Sequence, residues 1–145
     1  METVRDLLED KGHDVHTVPE SCTVFDAIRL MDERNVGAVI VVGADGRMTG
    51  ILSERDYARK VILRDRSSRA TPVTDIMTRE VVIVRPESTV EEAMAIMTRQ
   101  RCRHLPVIEN GEICGLISIG DVVRALIHEQ EFVIDQLEHY IAGSL

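Results

Sequence analysis

One heptapeptide pattern occurs twice in this chain and dictates how the rest must be read. Gly50-Ile51-Leu52-Ser53-Glu54-Arg55-Asp56 returns as Gly115-Leu116-Ile117-Ser118-Ile119-Gly120-Asp121, and upstream Pro19-Glu20-Ser21-Cys22-Thr23-Val24 is echoed by Pro86-Glu87-Ser88-Thr89-Val90. Further identities fill the interval: Ala27 with Ala93, Met31 with Met97, Val41 with Val107, Gly46 with Gly111, Arg59 with Arg124 and Ile62 with Ile127. The register slips at Cys22 and between Val42 and Gly46, positions that read as turns, where an insertion is tolerated. A duplicated chain of 145 residues reads as one compact domain of two half-units, neither able to bury its apolar face alone.

Periodicity gives each half the order β-α-β-β-α, an α+β (α/β) class. In the first copy an extended piece near Val15 to Val18 stops at Pro19. A helix from Thr23 to about Arg34 follows, with Val24, Ala27, Ile28 and Met31 on one face. Asn35-Val36-Gly37 breaks it. Ala38 to Val42 is a buried strand that turns at Gly43-Ala44-Asp45-Gly46 into a second strand, Met48 to Leu52. A helix from Glu54 to about Leu63 turns Tyr57, Ala58, Val61 and Ile62 inward. The second copy repeats this with a strand at Val81 to Val84, a helix from Thr89 to about Gln100, strands Leu105 to Ile108 and Ile113 to Ser118 about Asn110-Gly111, and a final helix. Thr89 and Glu92 have capping-box spacing. Arg64 to Thr74, polar, basic and broken by Pro72, is the connector.

Two helices extend beyond the repeats. Thr3 to Asp10, with Thr3 as N-cap and Gly12 as stop, lies outside them. The divisions expected are an N-terminal helix over 1–13, repeats over 14–70 and 71–128, and a C-terminal extension over 129–145. In the last helix Val123, Leu126, Ile127, Val133, Ile134, Leu137 and Ile141 continue the apolar pattern past the point where the first copy stops. That face is covered either by the chain's own core or across a homodimer.

Composition narrows the partners. With 44% hydrophobic but only 3% aromatic residues, the core is made of Val, Ile, Leu, Ala and Met, and stacking platforms for single-stranded nucleic acid are scarce. A formal net charge of −8 opposes nonspecific binding to phosphate backbones. Cys22, Cys102 and Cys114 are odd in number and lack C-x-x-C spacing, which supports neither a disulfide framework nor a zinc site. The mixed start Met1-Glu2-Thr3-Val4-Arg5-Asp6-Leu7 and the lack of a long apolar run lead to the expectation of a cytoplasmic protein away from membranes.

The doubled motif is the candidate site. In each copy a glycine opens a strand, the strand ends at serine, and aspartate follows in the first turn of a helix. Such a carboxylate can accept from vicinal ribose hydroxyls while the serine hydroxyl meets a ribose or phosphate oxygen, near backbone N–H groups that favour an anion. Ser-x-x-Asp is equally a capping box that needs no ligand, and duplication would preserve either role. Histidines 13, 16, 104, 128 and 139 are scattered. With no nucleophile–base pair, phosphate loop or spaced metal ligands, the sequence reads as a non-enzyme without a metal.

From about Val15 to Ile127, the β-α-β-β-α unit ending in Gly-apolar-apolar-Ser-x-x-Asp, with Leu105-Pro106-Val107 on its central strand, resembles the cystathionine-β-synthase (CBS) domain. The tandem pair resembles a Bateman module. The resemblance implies two repeats about a pseudo-two-fold axis and clefts between them that bind adenosine compounds such as AMP, ATP, NAD or S-adenosylmethionine, in modules that often pair into a disc. Carried over, Asp56 and Asp121 would hold ribose hydroxyls, and Ser53 and Ser118 would contact ribose or phosphate. Val41 and Val107 with neighbouring strand backbone would frame the adenine. Arg55, Arg103 and His104 would face the phosphate. The second motif has Ile119-Gly120 where the first has Glu54-Arg55, so its phosphate charge must come from elsewhere, Arg103 being the candidate. The expected function is a nucleotide sensor, AMP first with ATP and NAD(H) as alternatives, acting as a homodimer or on a separate effector protein. The alternative is a dimerisation scaffold with vestigial clefts.

Overall fold

The computed structural model describes residues 2–143. The chain opens with α1 (Val4–Lys11), started by a reciprocal capping box between Thr3 and Asp6. There follow β1 (Thr17–Pro19), α2 (Val24–Arg34), β2 (Ala38–Val42), β3 (Met48–Ser53) and α3 (Glu54–Lys60). Single 3-10 turns at Ile62–Arg64 and Val73–Asp75 lead to α4 (Val90–Gln100), β4 (His104–Glu109), β5 (Glu112–Ser118) and α5 (Ile119–Gly143). The duplicated helices show why the repeat folds as it does. Thr23 caps α2 by accepting from the Asp26 N–H, as Thr89 caps α4 from Glu92. Both helices bury a valine, alanine and methionine in the same register, Val24, Ala27 and Met31 against Val90, Ala93 and Met97. Both end on a left-handed residue, Asn35 and Arg101.

The chain divides into two compact units, where the sequence reading expects one domain. One is Asp14–Val82; the other joins the segment up to His13 to the chain from Ile83 onward. In the first unit β1 runs parallel to β2, which pairs antiparallel with β3. Val18, Leu52, Val61, Val73, Ile76 and Met77 pack with the buried face of α2. In the second, β4 and β5 form the equivalent hairpin, with a register shift at Val107/Ile108 that matches the one at Val41/Val42.

The first helix is not an appendage. The Val4 N–H donates to the Ser88 carbonyl and the Val90 N–H to the Glu2 carbonyl, at 2.8 and 3.0 Å. In the other unit the Val24 N–H donates to Thr71 and the Val73 N–H to Cys22, at 2.9 and 3.0 Å. Each repeat is thus completed by the segment that precedes the other repeat in sequence, α1 for the second and residues 71–78 for the first. The motif glycines sit where these segments arrive. A Cβ on Gly50 would lie 2.6 Å from the Met77 sulfur, and one on Gly115 2.6 Å from a Leu8 methyl.

Other expectations give way to local geometry. Val81 to Val84 is not a strand: a single bridge joins Val84 to Val107, the Val84 N–H donating to Pro106 and the Ile108 N–H to Val84. Pro86 has no N–H to extend the ladder, and its carbonyl accepts from Arg5. The helix after the first motif ends at Lys60, because Val61 takes φ −115 and ψ −66. Val61 is buried, but Ile62 and Leu63 are 58% and 75% exposed and Ala58 is exposed too. Thr89 and Glu92 form half a capping box, without the return bond that Asp6 and Asp56 supply. Beyond His128 the apolar face of α5 is not covered by the chain's own core: Val133, Ile134 and Leu137 are each more than half exposed.

Candidate functional site

Each motif serine is the N-cap of its exit helix, and each motif aspartate reaches back to it. The Ser53 Oγ accepts from the Asp56 N–H at 3.2 Å, while Asp56 Oδ2 accepts from the Ser53 N–H and hydroxyl at 3.0 and 3.1 Å. Asp56 Oδ1 accepts from the Thr78 hydroxyl at 3.3 Å and pairs with Lys60 at 3.0 Å. In the second copy Asp121 Oδ2 accepts from the Ser118 N–H at 2.8 Å and from the Lys11 ammonium, while Oδ1 accepts from Arg124 at 2.8 Å. The capping role that the sequence leaves open is therefore realised in both copies, and both carboxylates are largely enclosed, with 13% and 8% side-chain exposure.

Their electrostatics follow. Burial alone would raise the Asp121 carboxyl, but hydrogen bonds from Lys11 and Ser118 outweigh it and hold the group below the usual aspartate range. His104 stands directly across the hairpin from Ser118. Burial, and then the nearby Lys11 charge, push its imidazole below the ordinary histidine value. The first copy has Ala38 at the corresponding place opposite Ser53. The Ile119 N–H donates to the Arg103 carbonyl at 2.8 Å, matching the Glu54 N–H bond to Gly37. Sequence-distant groups thus gather at the second motif: Arg103 and His104 from the start of β4, Ser118 and Asp121 from the β5–α5 junction, and Lys11 from α1.

Beside Asp121, within this unit, lies a cavity of about 550 Å³, lined by Lys11, Arg124 and His128, by the acids Glu2, Asp10, Asp121 and Glu131, and by apolar Leu7, Ala125 and Ile127. That is in the size range of small-molecule sites. Lys11 bridges Asp121 and the Leu116 carbonyl, the latter at 2.6 Å. It is the positive charge that the second motif lacks in its own sequence. No local pattern announces it, since Lys11 reaches the site only because α1 packs on the second repeat. Arg124 and Lys60 follow from helix spacing, each lying on its own exit helix three or four residues past its aspartate. Arg55 and Arg103 are exposed. Val41 and Val107 are fully buried. Among the described residues, no cluster of three or more His, Cys, Asp or Glu is placed to hold a metal, and no helix is long and apolar enough to cross a membrane.

Comparison with known proteins accords with this geometry. The CBS domain family matches residues 3–63 and 73–128, so α1 falls inside the first match. CBS domain-containing protein CBSX3, mitochondrial, of Arabidopsis thaliana is 44% identical over 97% of this chain and 72% of its own length. A solved CBS-domain protein from Burkholderia ambifaria superposes with a TM-score of 0.84 at 49% identity, covering 88% of this chain and 96% of that one. The CBS-domain containing protein ATU1752 from Agrobacterium tumefaciens gives 0.81 at 43%, over 85% and 92%. CBS-domain pairs are generally regulatory modules. With its doubled α-β-β-α frame, doubled Ser-x-x-Asp cap and two family matches, the chain belongs to the CBS domain family as a tandem pair.

Proposed function

We propose that this pair is a sensor for an adenosine nucleotide, AMP first with ATP and NAD(H) as alternatives, and that the Asp121 motif is its working site. The observation that carries the reading is the cavity beside Asp121, where Lys11, Arg124 and His128 stand by the Asp121 carboxylate, with Glu2, Asp10 and Glu131 completing the polar lining. Ribose hydroxyls would replace Lys11 as donors to Asp121, and the released ammonium would meet the phosphate. Binding then exchanges one ion pair for another and biases the position of α1, which is the differential interaction a sensor requires. The bound nucleotide leaves unchanged. The signal passes through a homodimer or to a separate effector protein, with neither membrane nor nucleic acid as partner. We place this work in the cytosol, where Cys22, Cys102 and Cys114, all free, stay reduced.

A second reading, a dimerisation scaffold, is favoured by the same carboxylates, which are satisfied in capping boxes without any ligand. Calorimetric titration with AMP, ATP, NAD and NADH of the wild type, Asp56→Ala and Asp121→Ala separates the two. The sensor reading expects binding that Asp121→Ala abolishes and Asp56→Ala spares. No heat with any of the four nucleotides would leave the scaffold.

A further inference from the structure

The cavity beside Asp121 is uneven in charge along its length. Asp121, Arg124, His128 and Glu131 follow one another down one face of α5, three or four residues apart, so Arg124 stands about 4.5 Å and His128 about 10 Å along the helix from the aspartate. The segment carrying α1 forms the opposite wall within the same compact unit, with Lys11 on Asp121 and Glu2 near His128 and Glu129. Lys11 and Arg124 are the permanent cations of this lining, and both are bound to the Asp121 carboxylate, Arg124 at 2.8 Å. The rest of its charged lining is acidic, Glu2 and Asp10 on the α1 side and Glu131 on α5, with His128 the further titratable base. The Glu2 carboxyl is raised above its ordinary range by burial first and then by Asp10, Asp6 and Glu129, with His128 opposing. That part of the cavity already resists negative charge.

We propose that this cavity selects a nucleoside monophosphate, and that Glu2, Asp10 and Glu131 set the selection by excluding a second and third phosphate. The charges balance at one phosphate. With ribose hydroxyls donating to Asp121, Lys11 is released to stand with Arg124, so two cations answer the roughly two negative charges that a phosphate monoester carries at neutral pH. Each further phosphate adds negative charge and extends past Arg124 toward Glu2 and Glu131, where the lining holds no permanent cation to neutralise it. Specificity here comes from repulsion of the wrong ligand as much as from attraction of the right one. The inference rests on the nucleotide reading above and narrows it, keeping AMP and disfavouring ADP, ATP and the pyrophosphate of NAD(H).

The test is calorimetric titration of the full chain with AMP, ADP and ATP, in chelator so that no divalent cation screens the phosphates, at low and high salt. The proteins are the wild type, Glu131→Gln, Glu131→Lys and Glu2→Gln/Asp10→Asn/Glu131→Gln. Asp10 and Glu131 are exposed, and Glu2 is bonded to Val90 through its carbonyl rather than its side chain, so these changes leave the helices in place. The wild type is expected to bind AMP at least about tenfold more tightly than ATP, with ADP between them and the gap narrowing as salt rises. Glu131→Gln should let ATP gain more than AMP, Glu131→Lys should carry this further, and the triple variant should cut the AMP preference by about tenfold. A wild type that binds ATP as tightly as AMP would overturn the proposal and leave the sensor standing. So would a preference that no variant moves, which means that the further phosphates leave past exposed Arg103. A uniform loss of all three nucleotides in the variants also overturns it, because a merely structural role weakens each ligand alike. A wild type that binds none of the three ends the sensor reading itself, and this one with it.

Discussion

Leu8 and Gly115 meet so closely that each defines what the other position accepts. A Cβ on Gly115 would come within 2.6 and 2.8 Å of the Leu8 methyls, and Leu8 is itself only 1% exposed. Gly115→Ala is expected to cost about 1–3 kcal/mol by overpacking, and Leu8→Ala about 2–5 kcal/mol by leaving a cavity. The double variant should lose clearly less than the sum, since the added methyl enters the vacated space; urea denaturation of the four proteins measures that coupling. Gly50 will behave differently. Its Cβ would also lie 2.9 Å from the Thr78 backbone carbonyl, so Met77→Ala should fail to rescue Gly50→Ala. His104 sets an acid-side dependence. Its pKa is lowered from 6.5 by burial first and Lys11 second, so below 6.5 the unfolded chain binds more protons than the folded one. The stability contributed by neutral His104 is full above 6.5 and is lost as pH falls toward the folded value. Asp121, lowered from 3.8, acts with the same sign at more acid pH. Urea midpoints taken between about pH 7.5 and about pH 5.5 should therefore fall for the wild type and flatten in His104→Gln.

Among the elements, legibility followed how local the determinants are. The Thr-cap, the Val-x-x-Ala-x-x-x-Met face and a left-handed stop lie within a dozen residues, and α2 and α4 came out as the sequence implied. Val81 to Val84 has strand composition, but its pairing depends on Pro86 and on the arrival of α1, neither visible in a window around it. The early end of α3 was hidden too, because Ile62 looks like the next inward residue until Val61 has turned the chain. At the candidate site the doubled Ser-x-x-Asp was plain, whereas Lys11 depends on a contact across 110 positions. The α5 extension makes its own prediction. Residues 130–141 contribute no buried side chain, so a chain ending at His128 should unfold at the same temperature as the full chain in dilute solution. Raising protein concentration should lift the midpoint of the full chain alone, because dimerisation stabilises by mass action. An equal rise in both would place the dimer contact elsewhere.

At the scale of the molecule, duplication produced two copies that are alike in frame and unlike in charge. Each motif aspartate is clasped by a lysine, but from different sources. Lys60 comes from the helix of its own motif, so its distance to Asp56 is fixed by one turn of α3. Lys11 comes from α1, a segment that precedes the first repeat and completes the second, so its contact with Asp121 reports where that segment sits. A ligand that displaces Lys11 acts directly on α1, whereas at Asp56 the lysine stays on the motif's own helix and the 71–78 segment is reached through the Thr78 hydroxyl and the Ile76 carbonyl. In the proposed site Lys11 plays two opposed parts: it competes with ribose for Asp121, and once displaced it attracts phosphate. Lys11→Met removes both. Adenosine, which has no phosphate, should then bind the variant more tightly than the wild type, while AMP loses a charge-assisted contact of about 1.5–3 kcal/mol. The preference for AMP over adenosine should fall by about ten- to a hundredfold, measured by calorimetry with both ligands on both proteins. A preference untouched by the substitution would mean that the phosphate is held away from α1, and that Lys11 is only the counter-ion of a helix cap.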